Sequence, residues 1–137
     1  MITKLPRAET RSVSIDAAPR SVFAFIADPR NLPLWAPGFA STVRPDGDRW
    51  IVTSDDAELT IAVRASEELG TVDLVRGPEL NVGAFSRVLP NAGGSEYLFT
   101  LFFPDGTPAD AITAQMDVVE QELRTIRELV TAGTHRR

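Results

Sequence analysis

The sequence predicts an α+β fold in which a curved, seven-stranded antiparallel sheet is closed by one long C-terminal helix. Three observations carry this reading. A Pro-punctuated helical segment, Ala18 to Trp35, follows a single strand and holds two short helices. An amphipathic helix, about Ala109 to Thr131, closes the sequence. Between them, apolar alternation and tight turn signals read as strand after strand. A sheet gripping a helix in this order leaves room for a ligand between the layers.

Each element has a local reason. Arg11 to Asp16 alternates, with Val13 and Ile15 on one face. Pro19 suits a first helical position, where its missing N–H costs nothing. Val22, Phe23, Phe25 and Ile26 then give a broad apolar face. Asp28-Pro29 restarts the chain, with Asp28 able to cap a second short helix carrying Leu32 and Trp35. Strands follow at Phe39–Arg44, Arg49–Ser54, Glu58–Ser66, Thr71–Arg76, Leu80–Leu89 and Glu96–Phe103. The turns between them include Pro45-Asp46-Gly47-Asp48, where Gly47 can take positive φ, and Asp55-Asp56. Thr107-Pro108 offers a cap and a first-turn proline for the last helix. Ile112, Met116, Val119, Leu123, Ile126 and Val130 form its apolar stripe. Glu120 and Arg124 are placed as an i,i+4 pair, and Gly133 is the expected stop.

Composition narrows the chemistry. The 137 residues are near the common size of one domain, with roughly two-thirds of the surface open to burial. The chain reads as a single domain with about eight loose residues at its N-terminus and about five at its C-terminus. Net charge is -5, and the only basic block is the Arg136-Arg137 tail, so a nucleic-acid partner is not expected. There is no cysteine, which removes thiol nucleophiles and zinc–cysteine sites. Met1 to Arg7 lacks the apolar stretch of a signal peptide, and no run could span a bilayer. A cytoplasmic location is the expectation. The only histidine, His135, and the only lysine, Lys4, lie near the termini. An interior histidine base or lysine Schiff base is therefore not expected. The sequence has no nucleophile elbow, phosphate loop or zinc-binding His-Glu motif.

Ile15 to Gly38, which contains Ala18-Pro19-Arg20-Ser21-Val22-Phe23 and Asp28-Pro29-Arg30-Asn31-Leu32-Pro33-Leu34-Trp35, resembles the opening of the bacterial polyketide cyclase/dehydrase and lipid-transport group. This group lies in the START-like superfamily, also called Bet v 1-like or SRPBCC. Strand count and closing helix agree with it along nearly the whole chain. The resemblance implies a helix-grip fold with a cavity for lipids, polyketides or other apolar molecules. It implies no catalytic motif, and fold likeness does not choose among carriers, receptors, cyclases and chaperone-regulating modules.

The candidate cavity wall follows from strand parity. Trp50 and Val52, Leu59, Ile61 and Val63, Val72 and Leu74, and Tyr97, Phe99 and Leu101 share one face, with Met116, Val119 and Leu123 opposite them. These same positions could instead form a filled core. Trp35 reads as a pocket-mouth residue or as packing, and packing alone accounts for it. Burying ~150–250 Å² of ring at ~25 cal/mol per Å² contributes roughly 4–6 kcal/mol. Arg76 shares the inward parity at a strand end, where it meets a ligand anion or is solvated beside Glu79. The direction of Arg87 is left open. Tyr97 offers a hydroxyl to a ligand or is a satisfied core ring.

The expected function is binding or transport of a small apolar or amphipathic molecule, without cofactor or metal, by a monomer or homodimer. Tyr97 and Arg76 are the first choices for orienting groups. Two alternatives stand beside it. One is a cofactor-free cyclase or dehydratase, which needs an acid or base inside the cavity: Tyr97, an arginine or a carboxylate could serve, and an inward Asp or Glu of raised pKa is the feature that discriminates. The other is a protein-interaction module with an exposed apolar patch on the outer face of Leu80 to Leu89.

Overall fold

The computed structural model describes residues 4–55 and 57–135, with side chains through residue 133. The expectations that rest on Met1 to Thr3, on Asp56, on the side chain of His135 and on Arg136-Arg137 lie outside the described residues.

Strand β1 (Arg7–Ile15) leads into helix α1 (Pro19–Ala27), a 3-10 turn (Pro29–Asn31) and helix α2 (Leu32–Trp35). Six strands follow: β2 (Thr42–Asp46), β3 (Arg49–Ser54), β4 (Ala57–Ser66), β5 (Thr71–Arg76), β6 (Val82–Asn91) and β7 (Gly94–Phe103). Helix α3 (Ala109–His135) closes the described chain. The seven strands form one antiparallel sheet in the order β1-β7-β6-β5-β4-β3-β2. This is the α+β helix-grip arrangement that the element order predicts.

Local chemistry accounts for the corners. Gly47 takes φ 62° in the β2–β3 turn, as its hairpin position requires. The Asp28 carboxylate accepts from Arg30 N at 3.0 Å and caps the 3-10 turn. Arg30 also pairs with it, and that contact holds the Asp28 carboxyl below its usual range. Ser95 donates to the Ala17 carbonyl at 2.7 Å, tying β7 to the exit from β1.

Four local expectations shift. β1 begins at Arg7, four residues before the alternation becomes legible, because its first half pairs with Phe103 to Thr100 of β7. The Thr107 hydroxyl donates to the Pro104 carbonyl at 2.6 Å, and the first helical carbonyl of α3 belongs to Pro108. Helix α3 continues through Gly133 to His135, since one interior glycine costs only about 1 kcal/mol against alanine. Glu120 pairs with Arg11 of β1 at 3.2 Å, while Arg124 donates to Gln121. A cross-element partner has displaced the expected i,i+4 pair.

The core lies between the concave face of the sheet and the helices. All six residues of the α3 stripe are buried. Helix α1 packs across β5, β6 and β7, with Val22 and Ile26 buried. At this end Val72, Val88 and Tyr97 sit in the same cluster as Val22, Leu123 and Ile126.

Candidate functional site

Helix α1 fills only one end of the sheet's concave trough. The other end holds a cavity of about 1000 Å³. Its wall is built from the last residues of β5 (Leu74, Arg76), the first of β6 (Val82 to Phe85) and the last of β7 (Phe99 to Phe102). Leu59 and Ile61 of β4, Leu32 and Trp35 of α2, and Gln115, Val119 and Glu122 of α3 complete it.

The sheet opens at this end. Paired register between β6 and β7 stops at Phe85 and Thr100. Beyond it, Val82 to Ala84 continue against β5, and Leu101 to Phe103 continue against β1. Gly83 is where β6 is drawn toward β5. Its φ is 152°, and a Cβ there would stand 1.9 Å from the Leu74 carbonyl oxygen. Only glycine allows that approach. Phe85 and Phe102 meet across the opening edge to face, with centroids 5.8 Å apart. Phe39, Val82 and Phe102 are exposed apolar residues on the same wall.

Eight of the fifteen candidate wall residues stand on the cavity wall: Trp35, Leu59, Ile61, Leu74, Arg76, Phe99, Leu101 and Val119. The other seven are placed elsewhere. Val52, Val72, Tyr97, Met116 and Leu123 are buried in the packed core, and Trp50 and Val63 pack against it. Trp50 lies under the Arg30 guanidinium, 6.0 Å from the ring centroid. The reason is physical. Parity assigns a face of a strand, but the distance along the strand decides whether that face meets a helix or the void. Helix α3 adds a rotation: its Met116–Leu123 seam packs into the core, and the flank through Gln115, Val119 and Glu122 faces the cavity.

The polar groups divide accordingly. The Tyr97 hydroxyl is bonded to Ser86, whose own hydroxyl donates to the Val72 carbonyl at 2.6 Å. Burial raises the Tyr97 pKa. Tyr97 is thus a satisfied core ring, spent on the protein. Tyr97→Phe is expected to cost about 1 kcal/mol of stability and to leave the affinity for an apolar fluorophore within about twofold, measured by denaturant titration and by fluorescence. Arg76 is exposed on the wall, with no ion pair among the described residues; Glu79 accepts from Asn81 instead. Arg87 is exposed on the face of β6 opposite the buried Ser86 and Val88. Trp35 is buried, edge-on to Phe99 at 6.4 Å, and its Nε1–H has no acceptor among the described residues.

Glu122 is the group that parity did not single out. It stands half-buried on the wall, with no hydrogen bond or ion pair among the described residues, and burial pushes its pKa up to about 7. A signal was present in the sequence. Its i±3 and i±4 neighbours are Val118, Val119, Thr125 and Ile126, so no basic side chain on its own helix can pair with it. Among the described residues no cluster of three His, Cys, Asp or Glu side chains could hold a metal. No helix among them is long and apolar enough to cross a membrane.

Comparison with known proteins gives the wider setting. The family profile described as polyketide cyclase/dehydrase and lipid transport matches residues 8–130. No curated protein matches the sequence. Among solved structures, the Aha1 dimer from Colwellia psychrerythraea is similar at TM-score 0.70 and 12% identity, over 93% of this chain and 98% of that one. A protein from Thermus thermophilus, TTHA0849, has a TM-score of 0.67 and 17% identity, over 93% and 99%. Ara h 8.0201 has a TM-score of 0.62 and 15% identity, over 92% and 98%. At these identities the likeness is one of fold.

Proposed function

We propose, from the premise that this chain belongs to the polyketide cyclase/dehydrase and lipid-transport family of the START-like superfamily, that it binds a small apolar or amphipathic molecule in its internal cavity. The observation that carries the proposal is the cavity itself: about 1000 Å³, walled chiefly by aliphatic and aromatic side chains and bordered by exposed apolar residues. That volume is at the upper end of what small-molecule sites use. Burial of ligand surface drives binding, and a few polar groups orient it. Arg76, unpaired on the wall, is placed to meet the carboxylate or phosphate of an amphipathic ligand. In this reading the protein works as a single cytoplasmic domain, monomeric or dimeric, without a cofactor.

The test is native mass spectrometry of gently purified protein, with extraction of whatever is bound. A bound apolar or amphipathic mass is the expected result. Leu59→Trp, which pushes a larger ring into the cavity, should abolish it while changing stability by about 1–2 kcal/mol. An unliganded wild type that also fails to take up apolar fluorophores would overturn the proposal.

One observation favours a second reading. A carboxyl of raised pKa on a cavity wall is what a cofactor-free cyclase or dehydratase requires, and Glu122 meets that requirement. Turnover of a poly-β-ketone thioester that is lost in Glu122→Gln would establish it; no turnover in the wild type would remove it.

A further inference from the structure

Most of the cavity's polar wall groups are committed to other residues or stand at its solvent-exposed rim. The Thr100 hydroxyl is bonded to Thr10, Asn81 to Glu79, and Gln115 and Arg76 are exposed. One half-buried wall group remains without a partner among the described residues, the Glu122 carboxyl; the Trp35 Nε1–H also lacks an acceptor, but it is sealed within the packing and out of an occupant's reach. A protonated carboxyl donates a hydrogen bond. An apolar occupant that covered it without an acceptor would leave it desolvated and unmatched.

We infer that Glu122 determines ligand specificity: the cavity takes a molecule whose buried part carries an uncharged acceptor oxygen, a ketone, ester or amide carbonyl, hydrogen-bonded by the Glu122 carboxyl. This rests on the ligand-binding reading above. The inward flank of α3 fixes the residue's position, and its neighbours leave it free. Arg76 of β5 is exposed at the wall, Tyr97 of β7 is spent on Ser86, and Asp73 lies on the outer parity of β5 beside Arg64. Glu9 of β1 pairs with Arg11, and Arg11 pairs in turn with Glu120 of α3. With burial holding its pKa near 7, the carboxyl is protonated and a donor below neutral pH. Above it, the carboxylate has no proton to offer a carbonyl and repels a second anion. Carbonyl recognition is therefore linked to proton uptake.

Fluorescence titration with prodan, a neutral naphthalene ketone, tests this against the same dimethylaminonaphthalene lacking its propionyl group. The ratio of the two affinities removes the general cost of covering a carboxylate. At about pH 5.5 the wild type should prefer the ketone by about fivefold, and the preference should fall close to unity at about pH 8.5. Glu122→Gln, whose amide N–H still donates, should keep the preference at both pH values. Glu122→Leu should lose it at both. A preference that survives in Glu122→Leu, or that is unchanged with pH in the wild type, overturns the inference while leaving the binding reading intact. Failure of the ketone-free probe to bind overturns the cavity reading itself, and this inference with it.

Discussion

Gly83→Ala is expected to lower stability by about 3 kcal/mol and the Tm by about 10 °C. The added Cβ would stand 1.9 Å from the Leu74 carbonyl oxygen and 2.9 Å from its carbon, so the obstacle is backbone of a paired strand and cannot rotate away. The backbone there has φ 152°, a region that L side chains rarely adopt. Relief requires β6 to move away from β5, at the end where β6 has already left β7. The substitution thus acts on the opening as well as on stability, because that divergence frames the cavity. Thermal unfolding followed by circular dichroism measures the loss. A Tm within about 2 °C of wild type would show that this close approach is not obligatory.

Glu122→Leu is expected to stabilise the protein relative to wild type as pH rises. An unfolded glutamate titrates near 4.5, and burial moves this one to about 7 in the fold. Below 4.5 the carboxyl is neutral in both states, and its contribution is fully present. Between 4.5 and 7 the folded state holds a proton that the unfolded state has released, so stability falls as pH rises, and above 7 the loss is complete. With allowance for its partial exposure to solvent, the advantage of Glu122→Leu over wild type should grow by about 2 kcal/mol from about pH 4.5 to about pH 8. The opposite dependence comes from Glu9 and Asp28, held low by Arg7 and Arg30, and from Glu96, held low by Ser14. Their stabilisation is lost as pH falls through the acid range. Denaturant titrations of both proteins at several pH values measure the difference. A pH-independent difference would mean that Glu122 is solvated as an ordinary surface carboxylate.

The cavity wall shows where a sequence reading stops. Leu59, Ile61, Leu74, Phe99 and Leu101 were legible because strand alternation has a fixed period, and a residue's face follows from its number. Tyr97 has the same parity as Phe99 and yet belongs to the core, because α1 covers its row of the sheet and leaves the next rows open. Nothing in the alternation of β7 records where a helix from another part of the chain comes to rest. Glu122 illustrates the converse. Its neighbours at i±3 and i±4 announce an unpaired acid, but one beside an apolar stripe is also what an ordinary solvated flank looks like. The salt bridge of Glu120 to Arg11, in place of the local Arg124, has the same origin: α3 lies against β1, and that contact joins positions 109 residues apart.

The sequence by itself determined the element order, the turns, the buried stripe of α3 and the family architecture, because these depend on local periodicity and backbone preference. Tertiary structure alone decided how far α1 reaches along the trough, how α3 is rotated and where β6 parts from β7. These are outcomes of packing between distant segments. They leave an empty end to the trough and turn a carboxyl, Glu122, toward it.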